Sequence, residues 1–554
     1  MSRSNFPVIL SRFVFFLTVF TFFLCSESYS QENERDGASM NIFPKYQEAS
    51  KLGYSIFSNT AMRKDVSPRG EEGNVYSVQK EIPLSEDITL GRKLLENVIK
   101  SRKEVKSFSG DGISFNDLSS ILFFGDGVTY SRDYGFKKFG FRAAPSAGAL
   151  YPTEMYVAVM NVSGLEKGIY RYDVEENDLE LLNKGDFSRQ LSAISFNGYL
   201  EDFDAVMIVT SVPYKSTARY RLRGYRYCYL DAGHIEANMD IAAESLGIGT
   251  KVAGGFIDKA LKDLLGIKGK EEFPVFMYFV GKVKEWGSPD PSGKMKKPVQ
   301  KDNAVSEGSK DLDLGKQLEG SIMDSSGSFK GNRYAGKPDL SVPVRSYETV
   351  KLNPPDYMKG RPAGDVIYGR RSKRDFWAQA IEADDLSYVL KYSAGTIKGG
   401  ELAYSSISNI YPLEVYVIVN NVKGIQRGVY YYDPKIHQLY VVKQGDYRTR
   451  ITEASLGQNF CGTSAFDVMI VVDLERAAAY YGDRGYRYAL VDAGCLGEHV
   501  YLCAGSLGLG ACGVGAFFDD PVNEIIGVDG KKRTVIYFVA VGRLRVEMKL
   551  GASK

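Results

Sequence analysis

Histidine is almost missing from this chain: 554 residues contain 3, at positions 234, 437 and 499, and the 6 cysteines include no Cys-x-x-Cys pair. Ligand clusters of the kind that hold zinc are therefore not expected, and no metal site is predicted. Charge of one sign is not in excess either. Lys and Arg number 70 against 68 Asp and Glu, a formal net charge of +2, which gives no electrostatic footprint for nucleic acid. The apolar run at residues 13–24 is short of the roughly 20 residues a bilayer-spanning helix needs. Arg3 and Arg12 precede it and Ser28 and Ser30 follow it, a pattern that predicts a secretory signal peptide over residues 1–30. Cys25 follows Phe-Phe-Leu, a poor lipoprotein acceptor, so no membrane anchor is expected after cleavage. No paired arginines precede the run, so export in the unfolded state, to the periplasm or beyond, is the expectation. The exported chain would keep Cys228, Cys461, Cys495, Cys503 and Cys512, an odd set that reads best as small buried hydrophobes.

What the chain does have, it has twice. Pro145-Ser-Ala-Gly-Ala-Leu-Tyr-Pro152 sets a shelf of small residues directly before an apolar strand-like run. Alone, that stretch could be an ordinary turn feeding a strand. Tyr404-Ser-Ser-Ile-Ser-Asn-Ile-Tyr-Pro412 repeats it, and the match continues: Gly168-Ile-Tyr-Arg-Tyr-Asp173 answers Gly428-Val-Tyr-Tyr-Tyr-Asp433. Tyr225-Arg-Tyr-Cys-Tyr-Leu-Asp-Ala-Gly-His234 answers Tyr486-Arg-Tyr-Ala-Leu-Val-Asp-Ala-Gly-Cys495, and both lead into helix-period apolar positions. The period is far too long for a solenoid, so two whole domains are expected.

These motifs in this order closely resemble the SagB/ThcOx-type branch of the nitroreductase superfamily, whose members are FMN-dependent oxidoreductases. The resemblance implies two α+β domains, each a mixed sheet flanked by helices, packed as a pseudo-dimer within one chain. The expected organisation is a signal peptide at 1–30, an N-terminal arm at 31–87, a nitroreductase-like domain at 88–286, a polar linker at 287–342 and a second such domain at 343–554. Tyr46-Gln-Glu-Ala-Ser-Lys51 resembles the family's opening segment and suggests an arm packed on the first domain.

A basic run, Gly369-Arg-Arg-Ser-Lys-Arg-Asp-Phe376, offers forked guanidinium donors and a hydroxyl suited to a phosphate. By itself such a run is more often a solvated helix end. The resemblance makes Arg370, Arg371, Ser372 and Arg374 the grip on the FMN phosphate. It makes Pro145, Ser146, Ala147, Gly148 and Ala149 the shelf for the flavin, and Gly515 and Ala516 part of the loop near the flavin's reactive edge. Copy one has Arg102 and Lys103 at the matching place but Glu104 at the serine position, where a carboxylate would repel phosphate. Copy two has lost Pro, Ala and Gly from its shelf (Ser405, Ile407, Ser408). Decay of the two copies is therefore complementary, and a pseudo-dimer would unite both intact halves in one composite site. Gly508, Gly510 and Gly513 spell a dinucleotide-like pattern but close a helix instead of opening one, so no nicotinamide site is expected there.

Azoline-oxidising relatives carry Lys-Tyr-Gly before the Arg-x-Tyr-Arg-Tyr run; here the positions read Arg219-Tyr220-Arg221 and Tyr480-Tyr481-Gly482. Arginine cannot act as a tunable base. Tyr220 and Tyr481 remain as candidate acid–base groups, with packing an equal alternative for either. The expected function is an exported FMN oxidoreductase acting on a small molecule or peptide, with a possible electron-acceptor partner. A flavin-binding scaffold with decayed catalysis and a thiazoline/oxazoline dehydrogenase of peptide modification are the alternatives.

Overall fold

The valine- and aromatic-rich runs of each repeat assemble into one large sheet. In the first repeat they are β1 (Lys80–Pro83), β2 (Thr153–Val159), β3 (Gly168–Asp173), β4 (Asp178–Lys184), β5 (Ala205–Ser211), β6 (Gly249–Ala253) and β7 (Phe273–Gly281). The second repeat supplies β8 (Thr349–Lys351), β9 (Leu413–Val419), β10 (Gly428–Asp433), β11 (Gln438–Gln444), β12 (Phe466–Asp473), β13 (Gly510–Val514) and β14 (Arg533–Gly542). Spatial order is β1-β4-β3-β2-β5-β7-β6 in one sheet and β8-β11-β10-β9-β12-β14-β13 in the other, the same path traced twice. Every side chain of β5 and β7 is buried, so these strands read as continuous apolar runs instead of alternating ones.

The computed structural model describes residues 42–51, 76–135, 138–195, 201–268, 272–287, 348–357, 360–407 and 411–545. The expected signal peptide, most of the arm and nearly all of the linker lie outside the described residues. Apart from Ile42, the described residues belong to one compact unit, Phe43–Lys554. The architecture is the expected α+β arrangement, two sheets flanked by helices. All pairings within the two large sheets are antiparallel. Among the described residues, parallel pairing is confined to the short Ile113–Ser114 with Val162–Ser163 and to the isolated bridges Ser372–Ala511 and Ile381–Val422.

Three helices place the site: α1 (Ile42–Ala49), α2 (Arg223–Leu246) and α3 (Arg484–Ser506). Helices α2 and α3 are the repeated Arg-Tyr…Asp-Ala-Gly segments, and almost every residue of both is buried. They cross backbone to backbone at their glycines. A Cβ on Gly233 would run into the carbonyl of Val491, and one on Gly494 into the carbonyl of Leu230. Only glycine permits that approach, which explains why the repeated motif carries it at this place in both copies.

Reciprocal ion pairs tie each repeat to the other. Arg226 Nη1 donates to Asp519 Oδ1 at 2.8 Å, and Arg487 Nη1 to Asp258 Oδ1 at 3.0 Å. All four groups are essentially inaccessible to solvent, so each charge depends on its partner in the other repeat. The arm differs from expectation in its docking. Tyr46 stands edge-on to both Tyr225 and Tyr486, at 6.4 and 5.9 Å, and Tyr486 donates its hydroxyl to Gln47 Oε1 at 2.6 Å. Helix α1 therefore packs on both repeats, because the two equivalent tyrosines present one shared aromatic cleft where α2 and α3 begin.

Candidate functional site

The shelf follows a strand pair that only the first repeat carries among the described residues, Val128–Asp133 with Lys138–Arg142. Beyond it, Ser146 Oγ donates to Asp231 Oδ2 at 2.6 Å and accepts the Tyr151 N–H at 2.9 Å. Gly148, Ala149 and Tyr151 all have positive φ, 67°, 52° and 45°. Positive φ at the two non-glycines, on either side of Leu150 at φ −91°, is strained backbone, and Asp231 holds the start of this segment through Ser146 and the Ala147 N–H. Burial pushes the Asp231 carboxyl up to about 8, against the opposing hydrogen bonds from Ser146 and the Ala147 N–H.

Tyr220 stands over Gly148, filling the space where a Cβ on that residue would point. Its ring meets Tyr227 edge-on at 4.9 Å, and Tyr227 in turn lies 2.7 Å from where a Cβ on Gly515 would be. Shelf, tyrosines and the glycine loop of the other repeat thus form one series of contacts. Arg223 fixes that loop by donating Nε to Gly515 O at 2.9 Å and Nη1 to Asp519 Oδ2 at 2.5 Å. Gln458 Nε2 donates to Ala516 O at 3.0 Å. The glycines before it do not open a helix: Gly508, at φ 74°, follows the end of α3, and Gly510 to Val514 is the edge strand β13.

The basic run reaches the shelf from the second repeat. Arg370 Nε donates to Ala143 O at 2.5 Å and Nη2 to Arg142 O at 3.2 Å. Arg371 donates to Thr129 Oγ1 and O at 3.1 and 3.0 Å, and its guanidinium lies 5.1 Å over Tyr130. Ser372 Oγ is 2.9 Å from the Tyr501 hydroxyl, which accepts the Gly513 N–H at 2.5 Å. The Arg374 guanidinium lies 5.7 Å over Phe460 and neighbours Cys512. Arg370 and Arg371 thus reach the residues that flank the shelf, and the Gly515 loop reaches Gly148 through Tyr227 and Tyr220. Tyr481 does not join them; it meets Tyr488 edge-on at 4.9 Å, the equivalent pair of the second repeat.

An anionic ligand suits this seam. Arg370 is 8% exposed, and its Nη1 is buried with no hydrogen-bond partner. Arg371 is held below its usual pKa by burial and by the neighbouring Arg370 charge. Two adjacent guanidinium groups and an unused buried donor are what a phosphate would satisfy.

The equivalent seam is furnished differently. Arg102 Nη2 donates to Leu402 O at 2.7 Å, the same contact that Arg370 makes to Arg142, and also faces Glu401 Oε2 at 3.4 Å. Glu104 Oε1 lies 3.7 Å from Lys251 Nζ. Ser405 Oγ donates to Glu236 Oε1 at 2.5 Å, whereas Ser406 Oγ keeps the shelf contact, donating to Asp492 Oδ2 at 2.6 Å as Ser146 does to Asp231. Tyr404 and Ile407, both buried, take positions that alanine holds in the intact shelf. Glu104 and Ile407 stand where the other seam has Ser372 and Ala147, while Arg102 and Lys103 keep the positions of Arg370 and Arg371.

The Nitroreductase family matches residues 99–282 and 367–543, one segment per repeat. The chain belongs to the nitroreductase family. A Methanocaldococcus jannaschii protein bearing the nitroreductase name is 33% identical over 34% of this chain and 90% of its own length. The trifolitoxin-processing protein TfxB of Rhizobium leguminosarum is 34% identical over 19% of this chain, and the microcin B17-processing protein McbC of Escherichia coli is 25% identical over 26%. The matches span 30% and 55% of those two proteins. Among solved structures, an Anabaena variabilis protein with the nitroreductase name superposes over 91% of this chain and 100% of its own, with a TM-score of 0.70 and 25% identity. That superposition takes in both nitroreductase repeats at once. The tandem duplication and the family expected from the motifs are both borne out.

Several residues at the seam were given no role from the sequence: Thr129, Asp231, His234, Glu498, Tyr501 and Tyr537. One signal was available. The repeated run ends in His234 in the first nitroreductase repeat and in Cys495 in the second, a divergence directly after an identical Asp-Ala-Gly.

Proposed function

We propose that this chain is an exported FMN-dependent oxidoreductase with a single composite flavin site between its repeats, acting on a small organic molecule or peptide. The carrying observation is the asymmetry of the seams: one joins Arg370, Arg371, Ser372 and Arg374 to the small-residue shelf and the Gly515–Ala516 loop, while the other places Glu104 at the serine position. Arg370, Arg371, Ser372 and Arg374 would hold the phosphate, residues 145–149 the flavin ring, and Gly515 and Ala516 its reactive edge. When bound, FMN supplies hydride or single-electron chemistry. The chain's own contribution is to bind, orient and manage a proton. Burial raises the Tyr220 phenol above its usual pKa, and the Arg219 charge pulls it back. That balance suits a group that stays protonated at neutral pH and donates or relays a proton beside the shelf. Export rests on the leader pattern around residues 13–24.

A second reading, oxidation of azoline rings in a modified peptide, is favoured by the peptide-processing names of TfxB and McbC. Arg219 weighs against it, because the position where such relatives keep a lysine carries a group that cannot serve as base.

An exported enzyme meets little nicotinamide, so the electron donor expected for this site is the organic substrate, with oxygen, a quinone or a partner protein as acceptor. The check is anaerobic mixing of flavin-loaded protein with NADH or NADPH while the visible flavin band is followed. Little bleaching by the nicotinamides, with full bleaching by dithionite, is expected. Rapid bleaching at modest NADH or NADPH would make the chain a nicotinamide-dependent reductase and overturn this assignment.

A further inference from the structure

The composite seam contains a buried acid–base pair that none of these roles uses. His234 of α2 and Glu498 of α3 come from different repeats and are 2% and 0% exposed. His234 Nδ1 lies 2.7 Å from Glu498 Oε2, and Nε2 lies 3.1 Å from the Tyr537 hydroxyl. A carboxylate at Nδ1 fixes the ring proton there, which leaves Nε2 to accept from Tyr537. The other Glu498 oxygen, Oε1, has no hydrogen-bond partner and stands 3.7 Å from Arg370 Nε. At the far end, the Tyr537 hydroxyl fills the space beside Gly513. A continuous row therefore runs from the glycine strand through Tyr537, His234 and Glu498 to the first cation of the phosphate grip.

A purely structural lock between α2 and α3 should occur at both seams, since the helices cross symmetrically at their glycines. It does not. The aligned repeats put Cys495 where His234 stands, Ala237 where Glu498 stands and Phe276 where Tyr537 stands. The equivalent arginine, Arg102, meets instead the partly exposed Glu401. The second seam joins α2 and α3 through a different buried carboxylate, Glu236 beside Cys495 and Ser405, so α2–α3 packing does not require this His–Glu pair.

We propose that Glu498, aligned by His234, is the counter-charge of Arg370 and sets the reduction potential of the flavin at the composite seam. The inference rests on the flavin assignment above, and both residues act as positioning groups. Reduction of a flavin adds negative charge to it. A carboxylate fixed in a dry, low-dielectric interior opposes that added charge and offsets the help that Arg370 would otherwise give. Glu498 thereby keeps the potential low and the reduced flavin ready to pass its electrons onward. The same carboxylate moderates how strongly Arg370 attracts the phosphate.

The test uses the full chain reconstituted with FMN, comparing wild type with Glu498→Gln by spectroelectrochemical midpoint, FMN affinity and thermal midpoint of the apo-protein. The variant should show a more positive flavin midpoint and tighter FMN binding, although its apo-protein melts lower because Arg370 is left uncompensated. Glu498→Asp, which keeps the charge, should hold the midpoint near wild type. If Glu498→Gln does not fold, the pair His234→Cys and Glu498→Ala copies residues that the second seam already packs, and it should give the same positive shift. An unchanged or more negative midpoint with flavin bound overturns the proposal and leaves the flavin assignment standing. A wild-type chain that takes up no FMN overturns both.

Discussion

An Arg370→Ala variant should lose FMN affinity by about 10- to 100-fold, the equivalent of one charge-assisted hydrogen bond of roughly 1.5–3 kcal/mol. Arg371→Ala and Ser372→Ala should follow in the same direction with smaller losses, since both side chains already have partners in Thr129 and Tyr501. The informative control is Arg102→Ala. Arg102 and Arg370 make the same backbone contact across the interface, to Leu402 and Arg142 respectively. Removing Arg102 should therefore cost fold stability, because it is a buried donor that holds the repeats together, while leaving FMN affinity unchanged. Fluorescence titration of the apo-proteins separates the two effects from a thermal melt. Equal affinity losses from Arg102 and Arg370 would mean that both seams bind flavin.

The second large effect is expected from a single methyl group. In Gly494→Ala the new Cβ meets the Leu230 carbonyl, which is backbone and has no flexible end to swing away. Overpacking of this kind commonly costs about 1–3 kcal/mol, and a backbone-on-backbone clash belongs at or above the top of that range. Helices α2 and α3 would have to separate. The displacement would also strain the ion pairs Arg226–Asp519 and Arg487–Asp258, whose charges have little access to water. A strongly lowered thermal midpoint together with loss of bound flavin is the expected outcome. Alanine tolerated at both Gly233 and Gly494 would show that the repeats do not depend on this crossing.

Much of this was legible because the chain states its motifs twice. The repeated Asp-Ala-Gly ending, the small-residue shelf and the Arg-Arg-Ser run identified the family and the duplication. Comparing the copies drew attention to Glu104 and to the altered shelf at Ser405 and Ile407. Other features were not legible for a physical reason: they depend on contacts between residues far apart in sequence. His234 and Glu498 are separated by 264 positions, and neither residue type stands out in a helix until the partner helix is placed. The close crossing at Gly233 and Gly494 is similar, since a glycine within a helix reads only as a mild destabiliser until another backbone occupies its missing side chain. The docking of α1 on both repeats was hidden because Tyr225 and Tyr486 form one cleft only after the repeats pack. Strand direction escaped as well. β5 and β7 are apolar on both faces, a pattern shared by parallel strands and by buried antiparallel ones.

The single composite seam is open to one direct measurement, the flavin content of purified, FMN-saturated protein after unbound cofactor is removed. Released FMN quantified against protein concentration should approach one per chain and fall toward zero in Arg370→Ala, with Arg102→Ala unchanged. Two flavins per chain would contradict the assignment of Glu104 and the altered shelf to a seam that no longer binds. So would one flavin per chain that persists in Arg370→Ala and disappears in Arg102→Ala.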